Sequence, residues 1–378
     1  MSDETLIQTT HVGSLPRSEA VRDALRSDDE PGSRAFDDAV GRAVRDVVRK
    51  QADVGVDVAN DGEQPRLAYS VDVTNRLSGY ADRFAERALP ADLAEFPEFA
   101  ERALGDIENI GGPIATGPIE YVGADELEAE LARFDEAVEA EGISFADRFH
   151  TAPSPGAVVR FTESEYHDDV ESYLFDLAEA LRTEYATIAD HGALLQVDAP
   201  ELLAGFTLTD EDASIEEFRE RVETYVEAIN VALDGVPADR VRLHACWGNY
   251  PGPHHHDVAL GDVVDEIYEA DAGGLVIEGA NPRHAHEYRT IAEHPLPGDW
   301  TLVPGVIDVK TNAVEHPTVV ADRLERFAES VGDPSRIVAG CDCGFETVMS
   351  ANLVHPPFVW KKLEALVEGA KIASERLA

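Results

Sequence analysis

Residues 241–246 read Val-Arg-Leu-His-Ala-Cys, a short apolar run that ends in a histidine and one of the three cysteines of the sequence. In a β-strand, residues two apart face the same side, so this run would direct His244 and Cys246 to one place. Imidazole nitrogen and thiolate sulfur are two of the ligands that zinc takes in proteins. The stretch therefore predicts a strand that carries the first half of a metal site.

Two further apolar runs end in residues that bind zinc. Residues 274–277 precede Glu278, and another run ends in Cys341 and Cys343. The two cysteines share a face in a regular strand, so spacing alone leaves both open. The turn at Gly344 would put Cys343 at the tip of the strand, so we favour Cys343, and a contribution from Cys341 stays open. The predicted zinc ligands are His244, Cys246, Glu278 and Cys343.

The arrangement of short apolar runs predicts the fold. Eight such runs lie at residues 5–14, 56–63, 149–159, 193–198, 241–246, 274–278, 302–308 and 337–343. Amphipathic helical segments alternate with them, among them residues 166–190 and 215–233, whose apolar residues recur at helical spacing. Alternating strands and helices indicate a parallel α/β sheet, and eight units predict a (β/α)8 TIM barrel. An open doubly wound sheet is the alternative, but no glycine-rich dinucleotide fingerprint follows the first strands.

One segment interrupts the alternation. Residues 78–144 hold two acidic helical stretches around a hairpin rich in glycine and proline. We interpret this segment as an insertion after the second strand of a single catalytic barrel that spans residues 1–378. Because the loops that follow barrel strands lie at the catalytic face, the insertion would form either a lid or wall of the site or a surface excursion.

The charge balance limits the classes of partner. The chain has 75 acidic and 31 basic residues, a formal net charge of -44, and only five of the basic residues are lysines. This composition is typical of a halophilic protein, because molar salt shortens the Debye length to about 3 Å and screens self-repulsion. The charge argues against nucleic acid or an anionic membrane as a partner. With an acidic N-terminus, three cysteines and no run near the roughly 20 apolar residues of a membrane span, we expect a cytoplasmic protein.

Other polar residues at predicted strand ends are candidates for chemistry. Lys310 lies two residues from Asp308, and its amine could protonate a leaving group or hold an anion; a salt bridge to Asp308 or Glu315 is an equal alternative. The histidine run 254–256 follows Pro-Gly-Pro, and we interpret it as loop surface or pocket rim rather than a second metal site. A sulfur-rich zinc shell suits binding a substrate thiol and lowering its pKa more than activating water.

Several of these stretches together resemble the catalytic barrel of the cobalamin-independent methionine synthase family. The segments that resemble its zinc-ligand motifs are His244-Ala-Cys246, Glu278 and Asp342-Cys343-Gly344. Segments that resemble the rest of its barrel are Val12-Gly-Ser14, Asp61-Gly-Glu63, Val197-Asp-Ala-Pro200 and Pro304-Gly-Val-Ile-Asp308. The resemblance implies a zinc enzyme in which Ser14, Glu63 and Asp198 bind the amino-acid end of homocysteine.

The sequence departs from the family pattern in two ways. The family has a histidine that gives a proton to the departing folate nitrogen, and here Lys310, with Asp308 beside it, takes that place as the catalytic candidate. Full-length members also have a second, N-terminal barrel. We expect this chain to be a single-barrel, archaeal-like member related to the coenzyme M alkyltransferases, in which a separately encoded partner protein could replace that barrel.

The predicted reaction is methyl transfer to homocysteine, giving methionine, from a methyltetrahydrofolate-type pterin or a methyl-corrinoid. The first alternative is transfer from an epoxide or methyl-corrinoid to coenzyme M, whose sulfonate would need arginines such as Arg17, Arg66 or Arg283. The second is a module that binds zinc or a corrinoid protein without catalysis. The methyl donor, the thiol and the oligomeric state remain open.

Overall fold

The computed structural model describes residues 6–26, 33–69, 71–85, 89–104, 111–206, 214–248, 250–348 and 353–378. The chain divides into two compact units. The first contains the described residues of Met1–Ala68, Ala129–His150 and Val276–Ala378, and the second contains those of Tyr69–Glu128 and Thr151–Leu275.

Each of the eight predicted apolar runs contains or overlaps a β-strand. The described strands are β1 (Gln8–Thr9), β2 (Val58–Ala59), β3 (Tyr80–Phe84), β4 (Pro113–Ala115), β5 (Asp147–Pro153), β6 (Glu163–Ser164), β7 (Leu194–Asp198), β8 (Val241–His244), β9 (Gly274–Ile277), β10 (Thr301–Pro304) and β11 (Val338–Ala339). Only β3, β4 and β6 of this set lie outside the predicted runs.

The strand order is that of a parallel barrel. One sheet has the order β10-β9-β8-β7-β5-β2, and β1 pairs in parallel with β11. A parallel bridge between Leu302 and Ile337 joins the β10 segment to the β11 segment. The backbone amide of Asp57 donates to the Thr9 carbonyl at 3.2 Å, which joins β1 to the start of β2. The prediction of an α/β TIM-barrel fold is confirmed.

Helices follow most strands. They are α1 (Glu19–Arg26), α2 (Arg34–Val54), α3 (Ala91–Ala94), α4 (Pro97–Leu104), α5 (Ala124–Glu141), α6 (Pro155–Phe161), α7 (Val170–Asp190), α8 (Glu201–Ala204), α9 (Ile215–Leu233), α10 (Val264–Ile267), α11 (Tyr288–Glu293), α12 (Pro317–Val331) and α13 (Pro356–Leu377). Local sequence sets their ends: Ser214 and Glu217 form a capping box at the start of α9, and α2 ends at Gly55 with φ 86°.

The first unit is built around the apolar face of α2. Val40, Val44 and Val48 recur every four residues and are each 0–1% exposed, as expected for one buried helix face. They belong to the same core cluster as Phe36 and Phe134, which is on α5. Burying each such side chain contributes about 1.5 to 3 kcal/mol. This face therefore anchors α2 against β2, which contributes Ala59 to the same cluster.

The second unit contains a small additional sheet. β3 pairs antiparallel with β4, and β4 pairs in parallel with β6. Arg76 and Glu184 form a buried ion pair nearby, with Nη2 to Oε1 at 2.6 Å and Nε to Oε2 at 3.0 Å. Residues 105–110 of the predicted hairpin lie outside the described residues, and the boundaries of the insertion stay a prediction. Among the helices that the structure describes, none has both the length and the apolar character needed to cross a membrane.

Candidate active site

The part of the predicted metal site that follows β8 lies in the second unit. β8 is buried and ends at His244, so Cys246 lies two residues beyond the strand rather than within it. The two side chains belong to residues that are 4% and 5% exposed. In the parallel β7–β8 register His244 lies opposite Asp198, with 2.9 Å between His244 Nδ1 and Asp198 Oδ1. A carboxylate at one ring nitrogen fixes the tautomer that leaves the other nitrogen able to bind a metal ion.

Asp198 is itself held by polar side chains on the two strands. Gln196 Nε2 donates to Asp198 Oδ1 at 2.8 Å, and Arg242 Nε donates to Gln196 Oε1 at 2.9 Å. All three residues are buried. The sequence predicts Asp198 as a substrate ligand, and its hydrogen bond to the histidine also makes it a positioning residue.

A second buried carboxyl lies just after β7. Glu201 is 1% exposed and accepts a hydrogen bond from the Ser154 hydroxyl at 2.6 Å. Burial raises the pKa of Glu201 to about 7, although the Ser154 hydrogen bond and the charge of Arg160 act in the opposite direction. This carboxyl therefore titrates near neutral pH, a property that its position in the sequence does not reveal.

The first unit contains the other two predicted ligands, Cys343 and Glu278. β11 ends at Ala339, so both cysteines of this stretch follow the strand. Cys341 is fully buried, and its Sγ donates to the Cys343 carbonyl oxygen at 3.2 Å. Burial raises the pKa of the Cys341 thiol far above its usual value, so this residue stays a protonated donor. These contacts favour Cys343 as the ligand, which stays a prediction.

Asp342 holds the loop that follows Glu278. Its carboxylate accepts hydrogen bonds from the backbone amides of Gly279, Ala280 and Asn281 at 2.9, 2.8 and 2.8 Å. The Asn281 side chain joins the two acids, donating to Glu278 Oε2 at 2.7 Å and to Asp342 Oδ2 at 3.3 Å. Burial raises the pKa of Asp342 to about 6, and the three amide hydrogen bonds oppose that rise. One buried carboxylate thus fixes a loop that is distant in the chain.

Ser14 lies against the turn that follows Cys343. Its carbonyl accepts from the Phe345 amide at 3.0 Å, and its Oγ accepts from the Glu346 amide at 3.3 Å. A Cβ atom at Gly344 would overlap the Ser14 hydroxyl, so this approach requires glycine. The predicted substrate residue and the predicted ligand therefore lie on contacting loops of the first unit.

Glu63 has an unusual backbone conformation. Its φ is 52°, in the left-handed region, and the residue is 3% exposed. The Arg17 guanidinium donates to the Glu63 carbonyl at 2.7 Å and to the Glu346 carbonyl at 2.8 Å. The Glu63 amide donates to Asp61 Oδ1 at 2.9 Å. A conformation that costs about 1 to 3 kcal/mol and is held in this way is typical of a functional site.

The structure tests the salt-bridge alternative for Lys310. Its backbone amide donates to Asp308 Oδ1 at 2.6 Å. Glu315, the other alternative partner, accepts from Lys362 Nζ at 2.9 Å. Within the ranges of the chain that the structure describes, the Lys310 ammonium has no salt bridge. The salt-bridge alternative is therefore not supported there.

The structure groups the predicted residues by unit. In the second unit, Asp198 contacts His244, which lies two positions before Cys246 in the sequence. In the first unit, Ser14 contacts the turn after Cys343. Three residues that position these loops were not predicted in that role from the sequence: Asn281, Asp342 and Glu346. The available signal was the position of Asp342 and Glu346 on either side of a predicted ligand.

Comparisons with known proteins identify the family. Residues 99–370 match the family described as the cobalamin-independent synthase, catalytic domain. The chain is 26% identical over 385 residues to a methionine synthase of Sulfurisphaera tokodaii, covering 100% of this chain and 95% of the relative. It is 27% identical over 387 residues to a methionine synthase of Saccharolobus solfataricus, covering 100% and 98%.

A solved structure supports the fold independently. The B12-independent methionine synthase of Shewanella sp. W3-18-1, in complex with selenomethionine, superposes with a TM-score of 0.73 at 17% identity and covers 98% of both chains. The family match spans more than half of this chain and agrees with the resemblance seen in its motifs. The chain therefore belongs to the cobalamin-independent synthase catalytic-domain family and is an enzyme of the methyltransferase class.

Proposed function

We propose that this protein is a zinc-dependent enzyme that methylates homocysteine to methionine. Both relatives named above are methionine synthases and align over the whole chain. The observation that carries the zinc part is a group of buried ligands. The proposed ligands are buried: His244 and Cys246 in the second unit, and Cys343 in the first.

The residues of this group fit zinc by their chemistry. One imidazole and two thiolates are a donor set that zinc takes, and burial keeps competing water away. A histidine that binds zinc almost always donates its other ring N–H to a carboxylate, a backbone carbonyl or water, and the Asp198 carboxylate lies 2.9 Å from His244 Nδ1. We propose Glu278 as the fourth ligand, steadied by the 2.7 Å hydrogen bond from Asn281.

The proposed site has separate places for the two ends of homocysteine. When bound, zinc would hold the substrate thiol as a thiolate near neutral pH. The carboxylates of Glu63 and Asp198 suit the ammonium group, and Ser14 with its turn suits the carboxylate. The strained backbone of Glu63 supports this role, because such strain is held where geometry matters.

We further propose that Lys310 assists the leaving group. An ammonium group that is not already in a structural salt bridge can donate a proton or hold an anion. Asp308, which accepts a hydrogen bond from the backbone amide of Lys310, would position this segment. The methyl donor in this proposal is a methylfolate or a methyl-corrinoid.

The surroundings of two arginines favour homocysteine over coenzyme M as the thiol. Arg66 donates from Nε and Nη2 to Glu130 at 3.1 and 3.0 Å. Arg17 donates to two backbone carbonyls and forms a salt bridge with Glu346 at 3.6 Å. A sulfonate would have to break these buried interactions at a cost in binding free energy, whereas the ammonium group of homocysteine would meet the carboxylates of Glu63 and Asp198.

The proposed function is tested by metal content and methyl transfer in molar salt. Wild-type protein should contain zinc and should transfer a methyl group to homocysteine when offered folate monoglutamate, folate polyglutamate and methylcobalamin side by side. Cys246→Ser should lose zinc and lower kcat/KM by more than the roughly 10- to 100-fold that losing an outer-shell partner costs. Lys310→Ala should lower kcat with zinc content unchanged.

The matched control is Cys341→Ser, which removes a buried thiol that is already used as a donor. It should keep its zinc. A wild-type protein that binds no zinc, or a Cys246→Ser variant with full activity, would contradict the proposal. Tight zinc binding without turnover from any donor would instead support the non-catalytic alternative.

A further inference from the structure

We propose that Glu95, His255 and His256 form a second metal-binding site, at the surface of the second unit, for a divalent transition-metal ion such as Zn2+ or Ni2+. One ligand atom from each residue lies within 4.8 Å of the other two. His255 Nε2 is 3.2 Å from Glu95 Oε2, and His256 Nε2 contacts Glu95 Oε1. This proposal does not depend on the proposed function.

The loop that carries the two histidines is anchored to α3. Asp92 on α3 is fully buried and accepts hydrogen bonds from the Tyr250 hydroxyl at 2.5 Å and from the His254 amide at 2.7 Å. Glu95 directly follows α3. The same short helix therefore holds the loop and carries the backbone of Glu95, which brings the three side chains to one place.

The first histidine of the run is used to shape the loop. His254 has φ 54°, in the left-handed region, and its ring stacks on Tyr250 with centroids 4.1 Å apart. Its Nδ1 is 2.9 Å from Asp257 Oδ2, and its Nε2 is 2.8 Å from the Tyr250 carbonyl. Both ring nitrogens of His254 are thus engaged, and the next two histidines are the ones that reach Glu95.

The three side chains have the chemistry and the access that a metal ion needs. Two imidazoles and a carboxylate bind borderline ions such as zinc and nickel. In a four-coordinate zinc site the ligand atoms lie about 3.4 Å apart, close to the 3.2 Å between His255 Nε2 and Glu95 Oε2. The side chains of His255, His256 and Glu95 are 40%, 41% and 47% exposed, so an ion can enter and water can complete its shell.

A metal ion at this site would join two segments that are 160 residues apart. Glu95 follows α3, and the histidines lie on the loop that begins after Cys246, a proposed ligand of the buried site. Because an ion that binds only the folded arrangement stabilises it, occupancy should protect both segments from local opening.

The test is a metal titration of the full chain in molar potassium chloride, with Zn2+, Ni2+ and Co2+ each used alone. The wild-type protein should bind one equivalent at this site, in addition to any ion held at the buried cysteines. The double variant His255→Gln/His256→Gln should bind one fewer, and Glu95→Gln should weaken that equivalent by at least about tenfold. The matched control is His286→Gln, another exposed histidine (58% for its side chain), which should bind like the wild type.

Cobalt separates this site from the buried one. Thiolate ligands give Co2+ intense near-ultraviolet charge-transfer bands, which a site of two histidines and a carboxylate lacks. The Cys246→Ser variant should lose these bands and keep the Co2+ ion at Glu95, His255 and His256. The double histidine variant should keep these bands and lose that ion. If the double histidine variant and His286→Gln both bind as many equivalents as the wild type, the second site does not exist, whatever happens at the cysteines.

Discussion

Glu201 should make the protein less stable as the pH rises through 7. It is a buried carboxyl whose pKa burial raises from 4.5 to about 7. Folding therefore favours the protonated form, so the stability that this group contributes is fully present below pH 4.5 and is lost as the pH rises through about 7. Each pKa unit corresponds to about 1.4 kcal/mol, so the ionised carboxyl lowers the free energy of unfolding by on the order of 3 kcal/mol at pH 8.

The substitution Glu201→Gln tests whether the pKa of this carboxyl is raised. Glutamine keeps an oxygen that can accept the 2.6 Å hydrogen bond from Ser154, and it does not ionise. The variant should gain about 2 to 3 kcal/mol relative to wild type between pH 5 and pH 8. At roughly 2 °C per kcal/mol for a chain of this size or larger, the gain in Tm is roughly 5 °C.

The assay is thermal or urea unfolding of both proteins at pH 5 and pH 8 in the same molar salt. Comparing the two pH values cancels any constant cost of burying the amide group. Glu163→Gln, an exposed glutamate of the same unit, is the control and should show no pH-dependent gain. An equal difference between Glu201→Gln and wild type at both pH values would refute the raised pKa.

Three further substitutions test the packing and the buried polar contacts. Gly344→Ala should lower both Tm and methyl-transfer activity, because its Cβ would overlap the Ser14 hydroxyl. Gly41→Ala, within α2, adds a Cβ that would meet no atom of the described residues within 4 Å, and it should instead raise the free energy of unfolding by about 0.5 to 1 kcal/mol in urea unfolding. Arg76→Met should lower it by about 3 to 5 kcal/mol, because Glu184 would stay buried without its partner; unchanged urea unfolding would contradict this.

The fold could be predicted because hydrophobic periodicity is a local property. All eight apolar runs contain or overlap a strand, and the predicted helix 215–233 has the observed bounds Ile215–Leu233. The predicted helix 166–190 begins later, at Val170, because the Asp169 side chain caps the Ser172 amide and so sets the start. The sheet of β3, β4 and β6 was missed because its strands are only two to five residues long and none contains an apolar run that indicates a strand.

The candidate site could be predicted only in part. Candidate ligands such as His244 and Cys343 can be proposed from their chemistry and from their place after an apolar run, and their role stays a prediction. Positioning residues are not, because their partners are far away in the sequence: the Arg17 amide meets a Glu346 oxygen across 329 positions. The contact of His255 with Glu95 could not be predicted for the same reason. The sequence indicates a loop at His255, but Glu95 lies 160 positions earlier in the chain.

The loop held by Asp342 has a consequence for how the first unit opens. The amides of Gly279, Ala280 and Asn281 can exchange with solvent deuterium only when the carboxylate releases them, so their protection measures how often this loop opens. Because Asp342 is the neighbour of Cys343, the two strand ends should open as one cooperative unit. Deuterium exchange at three backbone amides therefore measures how often this half of the proposed site opens in the absence of substrate.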